Sequence, residues 1–334
     1  MRAIQSARAI GLAGVLGACL FLAGAAHAAS DTERQGSILI FAKVVNNSQR
    51  DTVIQITNTG NMVNHARCFY LNGANCRITD FDITLTKQQP TQWRVSEGRP
   101  VNLIDPFGSS GAGIDPGLVP AVQRGFAGAL ICAEVTEDGN PLPQNKLKGE
   151  ATLLDIADNG SNNTSEYNAI AFPGDGNQNN SDADLRLNGT EYEACSSAHQ
   201  VNYYSLPDQD DPVLLGNSSV VHNLTILPCN LDLSRRDPNP FSVHFESSNE
   251  FELGTSGDIN GTCWANVSLN SLSLGQVLTT FGTLDLTTDG TPVMIVSETF
   301  HTDLDSGETG SAASNVHQTG PDNTTGVIRI LVLP

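Results

Sequence analysis

The sequence predicts an all-β fold, two antiparallel β-sandwich domains behind a cleaved signal peptide. Three observations carry that expectation. Short strand-like runs recur along the chain with Gly, Pro, Asn and Asp between them, the rhythm of an all-β sandwich or barrel. Beyond the first 28 residues no stretch shows helical periodicity. About 306 residues follow that leader, more than one sandwich ordinarily needs.

The leader has a secretory layout. Arg2 and Arg8 precede an apolar run over residues 10–24, and Ala26-His27-Ala28 supplies a small-residue cleavage site, so the mature chain is expected to start at Ala29. Leu16-Gly17-Ala18-Cys19 also reads as a lipobox, which gives a lipoprotein anchored through Cys19 as the alternative. Continuation of the apolar run through Leu20, Phe21 and Leu22 favours the cleaved form. No later segment approaches the ~20 apolar residues that span a bilayer. A secreted, periplasmic or outer-surface location is therefore expected.

In the first domain, expected over 29–172, strands are predicted at 37–45, 52–57, 66–71, 81–86, 92–95, 127–135, 148–154 and 167–172. The stretch 51–70 is the clearest. Val53, Ile54, Gln55, Ile56 and Thr57 alternate with period two, which buries one face. The Asn58-Thr59-Gly60 turn then leads into a run ending Cys68-Phe69-Tyr70. A hairpin is expected there, with Gly60 supplying a positive φ. Asp138-Gly139 marks a reversal after the strand holding Cys132. From Pro173 to Asp184 the composition turns to Gly, Asn, Asp and Ser, so 173–190 is expected to be a polar linker or loop. The second domain, 191–334, should hold strands at 201–205, 220–227, 242–246, 262–269, 281–286, 292–299 and 326–333. Two long irregular segments, 96–120 and 303–323, are where binding is expected, because long ordered loops often carry function.

Ile54-Gln55-Ile56-Thr57-Asn58-Thr59-Gly60, followed by Phe81-Asp82-Ile83-Thr84-Leu85-Thr86-Lys87-Gln88-Gln89-Pro90, resembles the strand, turn and strand layout of bacterial immunoglobulin-like extracellular modules. Gly125-Phe126-Ala127-Gly128-Ala129-Leu130 is similar to a later strand of those modules. These pieces cover about a third of the chain. The resemblance implies that both sandwiches are immunoglobulin-like, and it implies no catalytic residues. The segment 96–120 departs from the short connections of such a module.

Charge narrows the partners. The chain has 17 Lys+Arg against 36 Asp+Glu, a formal charge of −19, and loss of Arg2 and Arg8 takes the mature chain to about −21. So acidic a surface repels phosphate backbones, which argues against nucleic acid as a partner. Once Cys19 leaves with the leader, Cys68, Cys76, Cys132, Cys195, Cys229 and Cys263 remain, an even set that implies disulfides in an exported chain. Strand-like surroundings favour Cys68 with Cys132 and Cys229 with Cys263, leaving Cys76 with Cys195. The cysteines are scattered and lack a C-x-x-C pair, so zinc is not expected.

Standard catalytic signatures are missing, which lowers the expectation of an enzyme without removing it, since triads assemble from distant residues. Asp175, Asn177 and Asn179 have the spacing of the first ligands of a calcium loop, with Asp182 and Asp184 close by. Asn180 stands where a calcium loop needs glycine and Arg186 where it needs glutamate, so a standard EF-hand is ruled out. Calcium is the only cofactor the sequence suggests. Asp208, Asp210 and Asp211 form a second acidic cluster, and Asp303, Asp305 and Glu308 a third, flanked by His301 and His317. Trp93 and Trp264 lie in strand-like runs, where a core role outweighs sugar stacking. The expected function is a non-enzymatic structural or interaction protein of the bacterial envelope or extracellular space, meeting protein or glycan partners at the cell surface. A carbohydrate-binding or calcium-dependent adhesion module is the alternative, and a secreted hydrolase the third reading.

Overall fold

A computed structural model describes residues 33–103, 106–107, 113–156, 163–175, 182–204, 218–235, 238–248, 253–272, 281–319 and 325–331. The leader with Cys19, Asn177, Asn179, Asp208, Asp210 and Asp211 lie outside the described residues. Nine strands precede residue 173: β1 (Ile38–Asn46), β2 (Arg50–Asn58), β3 (Asn64–Asn72), β4 (Ile78–Leu85), β5 (Pro90–Arg94), β6 (Phe126–Val135), β7 (Leu147–Asp155), β8 (Thr164–Asn168) and β9 (Ile170–Phe172). The second half contributes β10 (Asp184–Leu187), β11 (Ala198–Tyr204), β12 (Ser218–Pro228), β13 (Leu231–Asp232), β14 (Phe241–Ser248), β15 (Leu253–Gly261) and β16 (Ala265–Ser268). After one 3-10 turn at Leu269–Ser271 come β17 (Phe281–Thr288), β18 (Val293–Asp303), β19 (Thr309–Asn315), β20 (His317–Gln318) and β21 (Gly326–Arg329).

The all-β class agrees with expectation; two immunoglobulin-like sandwich domains do not. The strands fall into five separate sheets, in the orders β4-β3-β6-β1-β9, β5-β2-β7-β8, β16-β12-β18-β19, β15-β14-β17-β11-β20 and β10-β21-β13. Among the described residues, every pairing of these strands with one another is antiparallel except β13 with β21. Period-two alternation shows that a strand has one covered face; it does not name the strand that pairs with it. A strand series read from sequence therefore leaves the number of sheets open.

β1 shows the departure most clearly. All nine of its residues are buried, whereas the strand of a half-solvated sheet alternates. It lies against β2 and β7 and also touches β12 and β18 of the second half. One core cluster accordingly runs from Ile38, Phe41, Ile54 and Leu130 to Leu227, Met294, Val296 and Ile328. Leu185 and Leu187 of β10 belong to it too, inside the stretch expected to be a polar linker. A second cluster, around Phe241, Val243, Ile259, Leu284 and Leu286, sits wholly in the second half.

The expected hairpin over 51–70 is corrected as well. β2 pairs with β5 and β7, while β3 pairs with β4 and β6, so the two strands belong to different sheets. The chain crosses over between them at Asn58. This side chain is fully buried. Its amide donates to the carbonyls of Met62 at 2.7 Å, Leu85 at 3.2 Å and Thr86 at 2.8 Å, while its oxygen accepts from the Gly60 N–H at 2.9 Å. Gly60 is not among the positive-φ residues; Gly139, at φ 78°, is, as the reversal after β6 requires.

Three disulfides tie the strands. Cys68 bridges to Cys132 across the β3–β6 pair, where the two are directly opposed. The other four cysteines pair differently from expectation: Cys76 joins Cys263 and Cys195 joins Cys229. Strand-like surroundings place a cysteine in a core and do not fix its neighbour. Cys76–Cys263 is a disulfide link between the two halves, joining positions 187 apart in sequence.

Candidate functional site

Two places gather polar side chains: a buried cluster where the halves meet, and a surface groove at one end of the first sheet.

The cluster starts from a charge in an apolar strand. Lys43 lies in Ile38–Asn46, where β1 slips by one residue in its register with β6 between Phe41 and Val44. Such bulges bend the strand and re-aim its side chains. Lys43 Nζ is 2.7 Å from Glu298 Oε2 of β18, and the two side chains are 5% and 1% exposed. The other carboxylate oxygen accepts from Arg50 Nη1, at the start of β2, and from Ser165 Oγ of β8 at 3.2 Å. Arg50 Nε lies 2.9 Å from Asp155 Oδ1, and its guanidinium sits 4.9 Å over the Phe300 ring. Two cations thus face two carboxylates, which is how buried charge is tolerated.

Burial pushes the Lys43 ammonium below its usual basicity, against the pull of Glu298. Burial alone would raise the Glu298 carboxyl, but Lys43 and Arg50 together outweigh it and hold the carboxyl below the usual carboxylate range. Tyr167 locks the backbone here: its hydroxyl accepts from the Lys43 N–H at 3.1 Å and donates to the Lys43 carbonyl. Lys43 Nζ also reaches Asn266 Oδ1 of β16 at 3.4 Å, and the Thr225 hydroxyl of β12 donates to the same oxygen at 2.8 Å. Trp264, two residues earlier, donates its indole N–H to the Ala42 carbonyl at 2.8 Å. Its ring lies over Gly73, where an added Cβ would come within 2.4 Å of Trp264 Cε3.

The groove, about 690 Å³, is lined by His65 and Arg67 of β3, Asp82 and Thr84 of β4, and the turn that follows β6. His65 Nδ1 is 3.0 Å from Thr84 Oγ1, and Nε2 is 3.7 Å from Glu137 Oε1. Arg67 Nη2 donates to Asp80 Oδ2 at 2.5 Å. Ala66, Ile83 and Val135 also line it, so the wall mixes hydrogen-bonding and apolar groups.

The sequence-predicted residues are mostly dispersed. Asp182 and Asp184 are engaged by arginines: Arg186 Nη2 lies 2.9 Å from Asp182, and Arg329 Nε 2.5 Å from Asp184. No group of three or more His, Cys, Asp or Glu is arranged to hold a metal among the described residues. Asp303 builds the β18–β19 turn, accepting from the Asp305 N–H at 2.9 Å and the Ser306 hydroxyl at 2.8 Å. His301 and His317 lie in different sheets. Each instead stands near a buried histidine, His301 by His222 and His317 by His199. Within 96–120, Asp115 organises the described part of the loop, pairing with Arg99 at 2.5 Å and accepting from the Gly117 N–H at 3.0 Å. Trp93 is core, with its indole N–H on the Tyr70 hydroxyl at 2.6 Å. Sequence reading missed Lys43, Arg50, Glu298 and Asn266. The available signal was a lysine inside ILIFAKVVN and a glutamate inside VMIVSETF, charges where a strand is otherwise apolar.

No family model and no curated protein matches the sequence. Among solved structures the chain is similar to Thermotoga maritima 1070, at 11% identity over 42% of this chain and 98% of that one, TM-score 0.29. It is also similar to the major pilin of Streptococcus pyogenes, at 10% identity over 88% of this chain and 97% of that one, TM-score 0.20. A mutant of that pilin gives 8% identity over 89% and 100%, TM-score 0.19. Likenesses this slight carry no argument about what the chain does.

Proposed function

We propose that the protein is an exported, non-enzymatic structural or interaction component of the bacterial cell envelope or extracellular space. The observation that supports this reading is the seam. The two halves are joined by the Cys76–Cys263 disulfide, by a shared apolar core and by a buried ion cluster in which Lys43 and Arg50 meet Glu298. Three disulfides fit an oxidising compartment, and a covalently braced seam suits a protein whose task is to hold its shape outside the cell. Fractionation of the native host, with thiol labelling of the unreduced protein, tests it. The expected result is an envelope or culture-medium protein, starting at Ala29, with no labelled cysteine. A cytosolic protein with reactive thiols would overturn the reading.

A second reading rests on the groove. Its hydrogen-bonding side, with His65, Arg67, Asp82, Thr84 and Glu137 converging, suits a polar ligand such as a glycan. Binding to a glycan array that is lost in His65→Ala at unchanged melting temperature would support it; no binding by the wild-type protein would sink it.

A further inference from the structure

The polar groups at the seam do more than neutralise one another. Lys43 Nζ, an amine nearly out of water, lies 3.4 Å from the carboxamide oxygen of Asn266. Glu298, 1% exposed, sits 2.7 Å from the same nitrogen on its other side. The Thr225 hydroxyl donates to the Asn266 carboxamide oxygen at 2.8 Å, where it polarises the carbonyl. An amine, a proton acceptor, a carbonyl and a donor to that carbonyl's oxygen are the four parts that acyl transfer requires. The geometry points to a self-formed amide bond between Lys43 Nζ and Asn266 Cγ, with Glu298 as the acid–base group.

The step balances without an added reagent. Glu298 takes a proton from the Lys43 ammonium, and the freed lone pair attacks Asn266 Cγ. Charge develops on Oδ1, where the Thr225 hydroxyl already donates. The protonated carboxyl passes its proton to the departing Nδ2, and the Cγ–Nδ2 bond breaks. The attacking nitrogen loses a second proton, which leaves on the released ammonia. An ammonium and a primary carboxamide thus become a secondary amide and one ammonium ion, with no change of oxidation state.

Three features of the site favour this over a resting salt bridge. The amine is held beside the carboxamide, 3.4 Å from its oxygen, by the fold and not by diffusion. Burial and the neighbouring Arg50 both weaken the Lys43 ammonium, so the nucleophilic free amine is nearer than in water. Asn266 lies at an exposed position, which gives the released ammonia a way to solvent. The product would tie β1 to β16, three residues from Cys263, so that the seam carries one bond that reductants break and one that they do not. This inference stands apart from the groove and from the site of action.

The test is the intact mass of the purified mature protein after reduction, followed by proteolytic mapping. The expected result is a mass lower than the sequence requires by one ammonia, with Lys43 and Asn266 recovered in a single branched peptide. Asn266→Ala, at an exposed position, should fold and show the full mass. Glu298→Gln should leave Lys43 and Asn266 in separate peptides; because it also unbalances buried charge, Lys43→Met serves as a second unlinked control. Full mass in the wild-type protein, or an ammonia loss mapped to any other residue, would overturn the proposal.

Discussion

Asn58 is the residue on which the crossover from β2 to β3 turns. It looks from sequence like an ordinary turn asparagine, and nothing local says that its amide serves carbonyls at 62, 85 and 86. Met62 lies in the same connection, but Leu85 ends β4 of another sheet and Thr86 follows it. Removing a buried amide leaves its former partners unsatisfied, each at about 1–3 kcal/mol where water cannot reach them. Asn58→Ala is therefore expected to destabilise the protein by roughly 2–4 kcal/mol, read as a lower denaturant midpoint at an unchanged slope. An effect within experimental error would mean that water replaces the amide. Asn58→Asp keeps the oxygen that accepts from Gly60 but cannot donate, so it should fare no better than alanine.

At the level of elements, strands with an apolar alternation were legible within two or three residues. The run 52–57 is β2 (Arg50–Asn58), and 81–86 is β4 (Ile78–Leu85). Five strands, β10, β13, β15, β19 and β20, match no run read from the sequence. β15 and β19 read GTSGDING after Leu253 and TGSAASN, and both lie at the edge of their sheets. Edge strands need no apolar face, so their small and polar residues give no periodic signal, and 303–323 looked irregular. Disulfide partners were hidden for a related reason. Cys76 and Cys263 sit in segments that meet only once both halves are assembled. Closing a loop whose ends are 187 positions apart restricts the unfolded chain by about 5 kcal/mol in the loop-entropy view. Replacing both cysteines by serine should thus lower stability more than removing Cys195–Cys229, whose separation is 34. Paired thermal melts of the two double variants check the ranking, and the reverse order would show that this long loop is already restrained when unfolded.

Over the whole molecule, pH sets the stability. His199 and His222 are buried, and burial lowers each to about 4 from an ordinary 6.5. His199 meets the Val293 carbonyl at 3.0 Å, while His222 meets the Ser297 hydroxyl at 2.5 Å. The unfolded chain binds protons at these sites below pH 6.5 and the folded chain does not until about pH 4. Their contribution is therefore intact above 6.5 and is lost as pH falls toward 4, roughly 3 kcal/mol for each. Glu298, held below the usual carboxylate range, extends the loss to lower pH. A denaturant midpoint that drops steeply between pH 6.5 and 4 is expected; a flat profile there would show that both rings protonate without unfolding. The overall class was legible because composition and spacing report it. The five sheets were not, since the burial of β1 on both faces depends on strands more than 170 residues away. That double burial has a consequence for the export proposed above. A chain that crosses a membrane N-terminus first delivers β1 before every strand that covers it, so the earliest segment to arrive must wait for β12 and β18 before its last face closes. On the proposed route the outer face of β1 stays uncovered until β18 has followed it across.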